Sequence, residues 1–286
     1  MPIEVNSVSY VYAKGTPFET SALRNVSLTV ENGEFVGIMG HTGCGKSTLI
    51  QLIDGLMRPT EGKILLDGED INSKGYDRYK LRRKLGIVFQ YPEYQLFETT
   101  VERDVAFGLK HLGLSKAEVT DRARWALETV GFDFGKVRGL SPMGLSGGEK
   151  RRAAIAGVLA VKPEVLIFDE PVAGLDPLGR DALMELTYDL NAAGTTIIMV
   201  SHNADALAEY AGRIIVLENG ELIEDGAARQ ILSDVRKLRE KQLGISQPTL
   251  IAEMMRERGV DIGHDVIRYN ELISRVVLLV NGGVQK

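Results

Sequence analysis

A chain of 286 residues that is 44% apolar and 26% charged lies in the ordinary globular range and is long enough to bury roughly 75% of its unfolded surface. A formal net charge of -5 gives no basic footprint for wrapping DNA or RNA, and length alone suggests one or two domains. The only cysteine, Cys44, rules out an intrachain disulfide and points to a reducing compartment. The start MPIEVNSVSYVY lacks the apolar core of a signal peptide, and no run approaches the ~18 apolar residues of a membrane span, so any membrane role is expected to be peripheral.

Along the chain, residues 1 to 36 alternate polar and apolar and read as half-exposed antiparallel strands. FVGIM (35 to 39) is a short buried-strand run that ends in a glycine loop and continues into the helix-like KSTLIQLIDGL. KILLDG and LGIVF read as further strands flanking the basic helix-like DRYKLRRKL. From 101 to 160 the apolar spacing is near 3.6 with no strand pattern between, which predicts a helical insert. EVLIFD and TTIIMVS return to buried strands, each followed by a helix, and Asn219-Gly220 inside RIIVLENGELIED predicts a hairpin. Alternating strands and helices imply a parallel sheet covered on both faces. After about residue 230, VRKLREKQ is helical, Leu250, Ile251, Met254 and Met255 share one helical face, and RVVLLV fits either a strand or a helix. A tail folded back on the core and a small dimerisation domain fit this segment equally. The basic runs 80 to 84 and 236 to 241 read as solvated helix faces, proximity to an anionic membrane being the alternative.

GHTGCGKS, residues 40 to 47, has the spacing G-x-x-x-x-G-K-[ST] between a strand and a helix, which is the context a phosphate cradle requires. The amides of Gly40, His41, Thr42, Gly43, Cys44, Gly45, Lys46, Ser47 and Thr48 are placed to wrap phosphate. Lys46 would reach its terminal oxygens, and the Ser47 hydroxyl would ligate Mg²⁺. Cys44 in that loop reads as a small filler, a reactive thiol being the alternative. VLIFDE (165 to 170) delivers two carboxylates at a strand end, where ligands bind in such sheets. Asp169 would hold Mg²⁺, and Glu170 would orient or deprotonate the attacking water. His202 and Gln90 occupy the same strand-tip position. The imidazole would contact a γ-phosphate, and Gln90 would reach Mg²⁺ or the water. LSGGE writes a second helix N-terminus, at Ser146, Gly147 and Gly148, for which the chain has no second phosphate of its own.

These elements, in this order and with LDP at 175 to 177, resemble the ATP-binding cassette (ABC) ATPases over residues 1 to about 228. The resemblance implies an α/β P-loop NTPase with a RecA-like core, an antiparallel β subdomain, a helical subdomain at about 91 to 160 and a C-terminal extension at 229 to 286. It implies ATP and Mg²⁺ as ligands and Tyr12 as the aromatic stacked on adenine, although Tyr10 competes and a strand tyrosine facing the core fits the pattern as well. Two cassettes would bind head to tail, so that Ser146, Gly147, Gly148 and Asp176 serve the partner's nucleotide.

FQYPEYQLFETTVERDVAFG and SPMGLSGGEKRRAAIAGVLA are similar, more narrowly, to energy-coupling factor (ECF) importer ATPases, in particular the second of their two paralogous ATPases. That likeness implies three partners at the cytoplasmic face of the membrane: a second ATPase, a transmembrane coupling subunit and a substrate-capturing membrane protein. A heterodimer is favoured over a homodimer. Glu93 would meet a coupling helix, the alternative being a solvated loop acid. ATPases of cobalt or nickel importers fit the same chemistry. Val172 and Glu149 depart from the commoner Thr/Ser and Gln, and neither change removes a phosphate ligand.

Overall fold

The computed structural model describes residues 2–283. In chain order the strands and α-helices are β1 (Ile3–Tyr12), β2 (Thr20–Val30), β3 (Phe35–Met39), α1 (Lys46–Ile53), β4 (Glu61–Leu66), β5 (Glu69–Asp70), α2 (Arg78–Lys84) and β6 (Leu85–Val88). The helical insert follows as α3 (Val101–Val105), α4 (Lys116–Thr129), α5 (Phe134–Val137) and α6 (Gly147–Leu159). Then come β7 (Val165–Asp169), α7 (Pro177–Ala192), β8 (Thr196–Val200), α8 (Ala204–Tyr210), β9 (Arg213–Glu218) and β10 (Glu221–Ala227). Four helices close the chain: α9 (Ala228–Leu232), α10 (Val235–Glu240), α11 (Gln247–Glu257) and α12 (Tyr269–Gly283).

Two sheets stack around α1. One is antiparallel in the order β2-β1-β4-β5, and the other runs β10-β9-β3-β8-β7-β6. Within the second, β9, β3, β8, β7 and β6 are parallel and β10 closes one edge as a hairpin arm. The central strands β3, β7 and β8 are buried at every position, as both faces of a covered parallel sheet require. One core fills the space between the sheets, with Ile38, Leu49, Ile50 and Ile64 inside it. The other lies on the opposite face and joins Phe168 and Met199 to Val101, Leu127, Ala156 and Leu159 of the helical insert.

The structure changes or settles several local readings of the sequence. The expected helix over 101 to 113 stops at Val105 and resumes as a 3-10 turn at Phe107–His111, with Gly108 and Gly113 weakening the run. RVVLLV lies inside α12 and is helical. Of the apolar residues that share a face of α11, Ile251 and Met254 are exposed while Met255 packs against the buried cluster of Ala252, Ile262, Val266 and Leu272; Pro248, Thr249 and Ala252 are buried. The inward side is fixed by polar anchoring, because Ser246 Oγ donates to Ile267 O at 3.0 Å and Thr249 Oγ1 to Val266 O at 3.1 Å. The basic run of α2 is ion-paired rather than simply solvated, Lys80 with Glu69, Arg82 with the buried Asp54, and Lys84 with Asp67. Among the described residues no helix is long and apolar enough to cross a membrane.

The extension has a four-residue core of its own, Ala252, Ile262, Val266 and Leu272. Within it Arg229 of α9 pairs with Asp265 and Glu271, and it is tied to the cassette by Arg268, whose Nε donates to Ala208 O at 2.9 Å. Ile231, Leu232 and Ile267 belong to the cassette's own core.

Candidate nucleotide site and its exposed complement

The parallel order of β3, β7 and β8 sets the C-terminal ends of these strands side by side, and residue types met far apart in the sequence converge there. A cavity of about 610 Å³ is lined by Tyr12, Thr42, Gly43, Gly45, Lys46, Ser47, Thr48, Gln90, Asp169, Glu170 and His202. Each of the residues expected to act on this chain's own nucleotide either lines that cavity or belongs to the loop that does.

The loop leaves β3 through Gly40, whose φ is +150°; a Cβ there would stand 2.3 Å from Leu217 O and 2.5 Å from Cys44 Sγ. No side chain fits, so glycine is required by close approach as well as by backbone angle. Lys46 is 6% exposed, and its ammonium folds back onto the loop, donating to Gly40 O at 2.7 Å and His41 O at 3.0 Å. Those carbonyls satisfy a buried charge and hold it at the cavity floor. Cys44 is fully buried, as expected of a filler.

The two carboxylates differ in setting. Burial pushes Asp169 above the ordinary carboxylate range, opposed by the Ser47 hydroxyl and the Lys46 and His202 charges. Burial also raises Glu170, opposed first by His202, then by Lys46. Glu170 has a left-handed φ of +49°, a conformation that costs a β-carbon residue about 1 kcal/mol and turns its side chain out of the strand direction. Its Oε2 accepts from His202 N at 3.3 Å. The imidazole Nε2 stands 3.2 Å from Oε1, at ion-pair distance without the alignment of a hydrogen bond. His202 therefore touches both oxygens of Glu170.

Tyr12 is the cavity tyrosine. It is 40% exposed, and its hydroxyl lies 3.1 Å from Thr48 Oγ1. Tyr10, packed edge-on against it at 4.8 Å between ring centroids, leans on the inter-sheet core instead.

Ser146, Gly147, Gly148 and Asp176 are not brought to this cavity. Ser146 caps α6 and exchanges hydrogen bonds with Glu149: Ser146 N and Oγ donate to Glu149 Oε2 at 2.8 and 2.7 Å, which holds the Glu149 carboxyl below the usual range. Asp176 caps α7, accepting from Gly179 N at 2.7 Å. Gly147, Gly148, Asp176 and Glu93 line a separate cleft of about 770 Å³ between α6 and α7. Glu93 sits in a 3-10 turn, Pro92–Gln95, and its Oε2 is buried with no hydrogen-bond partner among the described residues.

Sequence reading missed Arg151 in the same cleft. Its side chain is buried, 4% exposed, and its guanidinium donates to Pro171 O and, at 2.9 Å, to Ala173 O. It thereby ties the helix that begins at Ser146 to the segment just after Glu170. Inside the run KRR nothing in the sequence separates it from its solvated neighbours. Thr20, Ser21 and Ala22 of β2 also line the nucleotide cavity, brought there by the pairing of Tyr12 with Thr20.

The geometry defines a P-loop ATPase cassette, and the model of the ABC transporter family matches residues 23–173. The chain belongs to that family and is an ATP-binding, ATP-hydrolysing cassette. It is 44% identical over 282 residues, 98% of each chain, to the energy-coupling factor transporter ATP-binding protein EcfA2 of Clostridium tetani. It is 46% identical to the protein of the same name in Clostridium acetobutylicum, over 93% of each chain. Among solved structures, cbiO1 of Clostridium perfringens, part of the ABC transporter complex cbiONQ, superposes with a TM-score of 0.73 at 34% identity, covering 89% of this chain and 98% of that one. A dimeric post-hydrolysis ATP-binding cassette, MJ0796 bound to ADP and Pi, gives a TM-score of 0.71 at 32% identity, over 79% and 99% of the two chains.

Proposed function

We propose that the protein is the ATPase subunit of an ECF-type importer, pairing with a second cassette and driving uptake of a vitamin or other micronutrient through membrane partners. The observation that carries this reading is the division of the site. Lys46, Asp169, Glu170 and His202 share one cavity, while Ser146 and Asp176 cap α6 and α7 and are not among its lining residues. Half of a phosphate-binding apparatus is thus left for another chain. The near full-length likeness to proteins named as ECF transporter subunits supports the subtype.

In this reading ATP lies in the 610 Å³ cavity with adenine on Tyr12 and phosphates on the Gly40–Thr48 amides. Lys46 exchanges its carbonyl partners for phosphate oxygens. Mg²⁺ fits the donors present: the Ser47 hydroxyl, the Asp169 carboxylate and the Gln90 amide oxygen are hard ligands. No cluster of three His, Cys, Asp or Glu among the described residues could hold a metal without the nucleotide. Bound there, the ion neutralises phosphate charge. Glu170 takes a proton from water as the water oxygen bonds to the γ-phosphorus and the bridging bond to ADP breaks. His202, against both Glu170 oxygens, orients that carboxylate and faces the phosphate. A partner's Ser146, Gly147 and Gly148 amides close over the γ-phosphate, and its loss reopens the pair.

Tyr91, Tyr94 and Phe97, on the segment that carries Glu93, and Phe107, packed on Phe97, are exposed aromatics, and Glu93 Oε2 has no hydrogen-bond partner among the described residues. That surface suits the coupling helix of a membrane subunit, with an Arg of that helix on Glu93. We read the extension from 229 as a contact to the second cassette's extension, supported by the exposed Ile251, Met254, Ile273 and Val277. The likeness to cbiO1 favours a cobalt importer as the second reading.

Glu170→Gln is the test. The variant is expected to bind ATP, release no phosphate and accumulate a closed ATP-bound dimer by gel filtration. Wild-type phosphate release would overturn the assignment. Purification of the tagged chain in mild detergent then decides the subtype, a small substrate-capturing membrane protein selecting the ECF reading over a conventional permease pair.

A further inference from the structure

The extension touches the catalytic loop at one point that packing alone does not require. Gly244, in the connection between α10 and α11, lies directly against the loop that carries His202. A Cβ built on it would stand 2.9 Å from His202 O and 3.3 Å from the Ala204 Cβ. The neighbour at 2.9 Å is main chain, which cannot swing aside as a flexible side chain would. Gly244 does not have a left-handed φ, so glycine is present here for close approach rather than for backbone freedom.

Two further bonds hold this contact in register. Gln247 N donates to Asp205 Oδ1 at 2.7 Å, anchoring the start of α11 to the first turn of α8. Tyr269 OH of α12 donates to Gln247 Oε1 at 3.1 Å. Leu243, next to Gly244, packs on the cassette core. Below the loop, Asn203 N donates to Ser201 Oγ at 3.1 Å and Asn203 Oδ1 accepts from Ala206 N at 3.0 Å. The loop is therefore pinned on one side by its own cap and on the other by the extension.

What sits on this loop makes the contact consequential. The His202 side chain is about half exposed, 52%, so its direction depends on its backbone as well as on the approach of its Nε2 to Glu170 Oε1. The His202 N–H donates to Glu170 and its carbonyl oxygen lies against Gly244 of the extension, so the two peptide groups of one residue bear on both. We propose that residues 243 to 247 are a strap that positions the catalytic loop, with Gly244 as a positioning residue acting on Glu170 through His202. The extension, beyond any pairing role, then sets hydrolysis competence: displacement of α11 or α12 pulls on Gln247 and shifts the His202 peptide. The inference rests on the reading of His202 and Glu170 given above, and its test separates the two.

The chain has four histidines, His41, His111, His202 and His264, so ring-labelled histidine in the full-length protein gives few NMR signals, and His202→Ala assigns the one at issue. Gly244→Ala is expected to move the His202 ring signals and leave the other three in place. In the purified transporter complex, kcat should fall about tenfold, as a displacement of tenths of an ångström at a reacting group would cause, with KM for ATP within about twofold. Asp205→Ala, which removes the Gln247 anchor, should act in the same direction and supplies the measurement if Gly244→Ala does not fold. Gly139→Ala, whose Cβ meets nothing within 4 Å, should change neither readout. Unmoved His202 signals and an unchanged kcat in a folded Gly244→Ala or Asp205→Ala protein overturn the strap. Retained turnover in His202→Ala would instead remove the role assigned to His202, while the ring shift still reports whether the strap exists.

Discussion

Arg151 offers a sharp test of how the two halves of the cassette are joined. Its guanidinium spans from α6 to Pro171 O and Ala173 O, and burial makes its charge harder to keep, with Glu93 the main compensating charge. Arg151→Met fills similar volume but leaves two carbonyls without this donor, each orphaned acceptor costing about 1–3 kcal/mol. Relief of the buried charge offsets part of that, so a net loss of about 2–3 kcal/mol is expected. For a chain of this length each kcal/mol lowers Tm by about 2–4 °C, which predicts a drop of about 5–10 °C by differential scanning fluorimetry. Turnover should fall too, because the segment after Glu170 loses its tie to the helix that would serve the partner's nucleotide. Arg151→Lys keeps the charge and one of the two bonds and should lie between. A Tm within 1 °C of wild type for Arg151→Met would refute the tether.

Two further outcomes follow from the titrating groups. Glu149→Gln keeps the acceptor for Ser146 but removes a carboxylate from the surface proposed to meet a terminal phosphate. In the Glu170→Gln background, ATP-driven dimerisation measured by gel filtration should tighten on the order of tenfold as like-charge repulsion is relieved. Unchanged or weaker dimerisation would place the phosphate elsewhere. Burial raises Glu170, so the folded state keeps a proton at pH values where the unfolded chain, with a carboxylate pKa near about 4, has released it. Stability therefore falls as pH rises through that window. Nucleotide-free Glu170→Gln should melt above wild type at pH 7.5 and together with it at pH 4; a lower Tm at pH 7.5 would contradict the sign.

Legibility from sequence followed the reach of each physical constraint. The cavity residues were readable because a phosphate cradle dictates local backbone: Gly40 must leave room for Leu217 O, Lys46 must follow at fixed spacing, and a covered parallel strand must be apolar until Asp169 and Glu170. Tyr12 and Tyr10 could not be ranked by pattern, since their separation depends on which side of the β1–β2 hairpin closes against the core. Arg151 was invisible for a related reason. Its value comes from carbonyls twenty and twenty-two residues away, and a guanidinium in a basic run carries no mark of what it will meet. Which face of α11 turns inward was not legible because side chains in a small appendage are turned by a few specific bonds, those of Ser246 and Thr249, rather than by the hydrophobic periodicity that governs a large core. Gly244 is the extreme case. Nothing local requires glycine there, and only the approach of His202 O does. Single residues whose identity is set by one distant contact are the ones a sequence conceals, and here two of them, Arg151 and Gly244, bear on the segments next to Glu170 and His202.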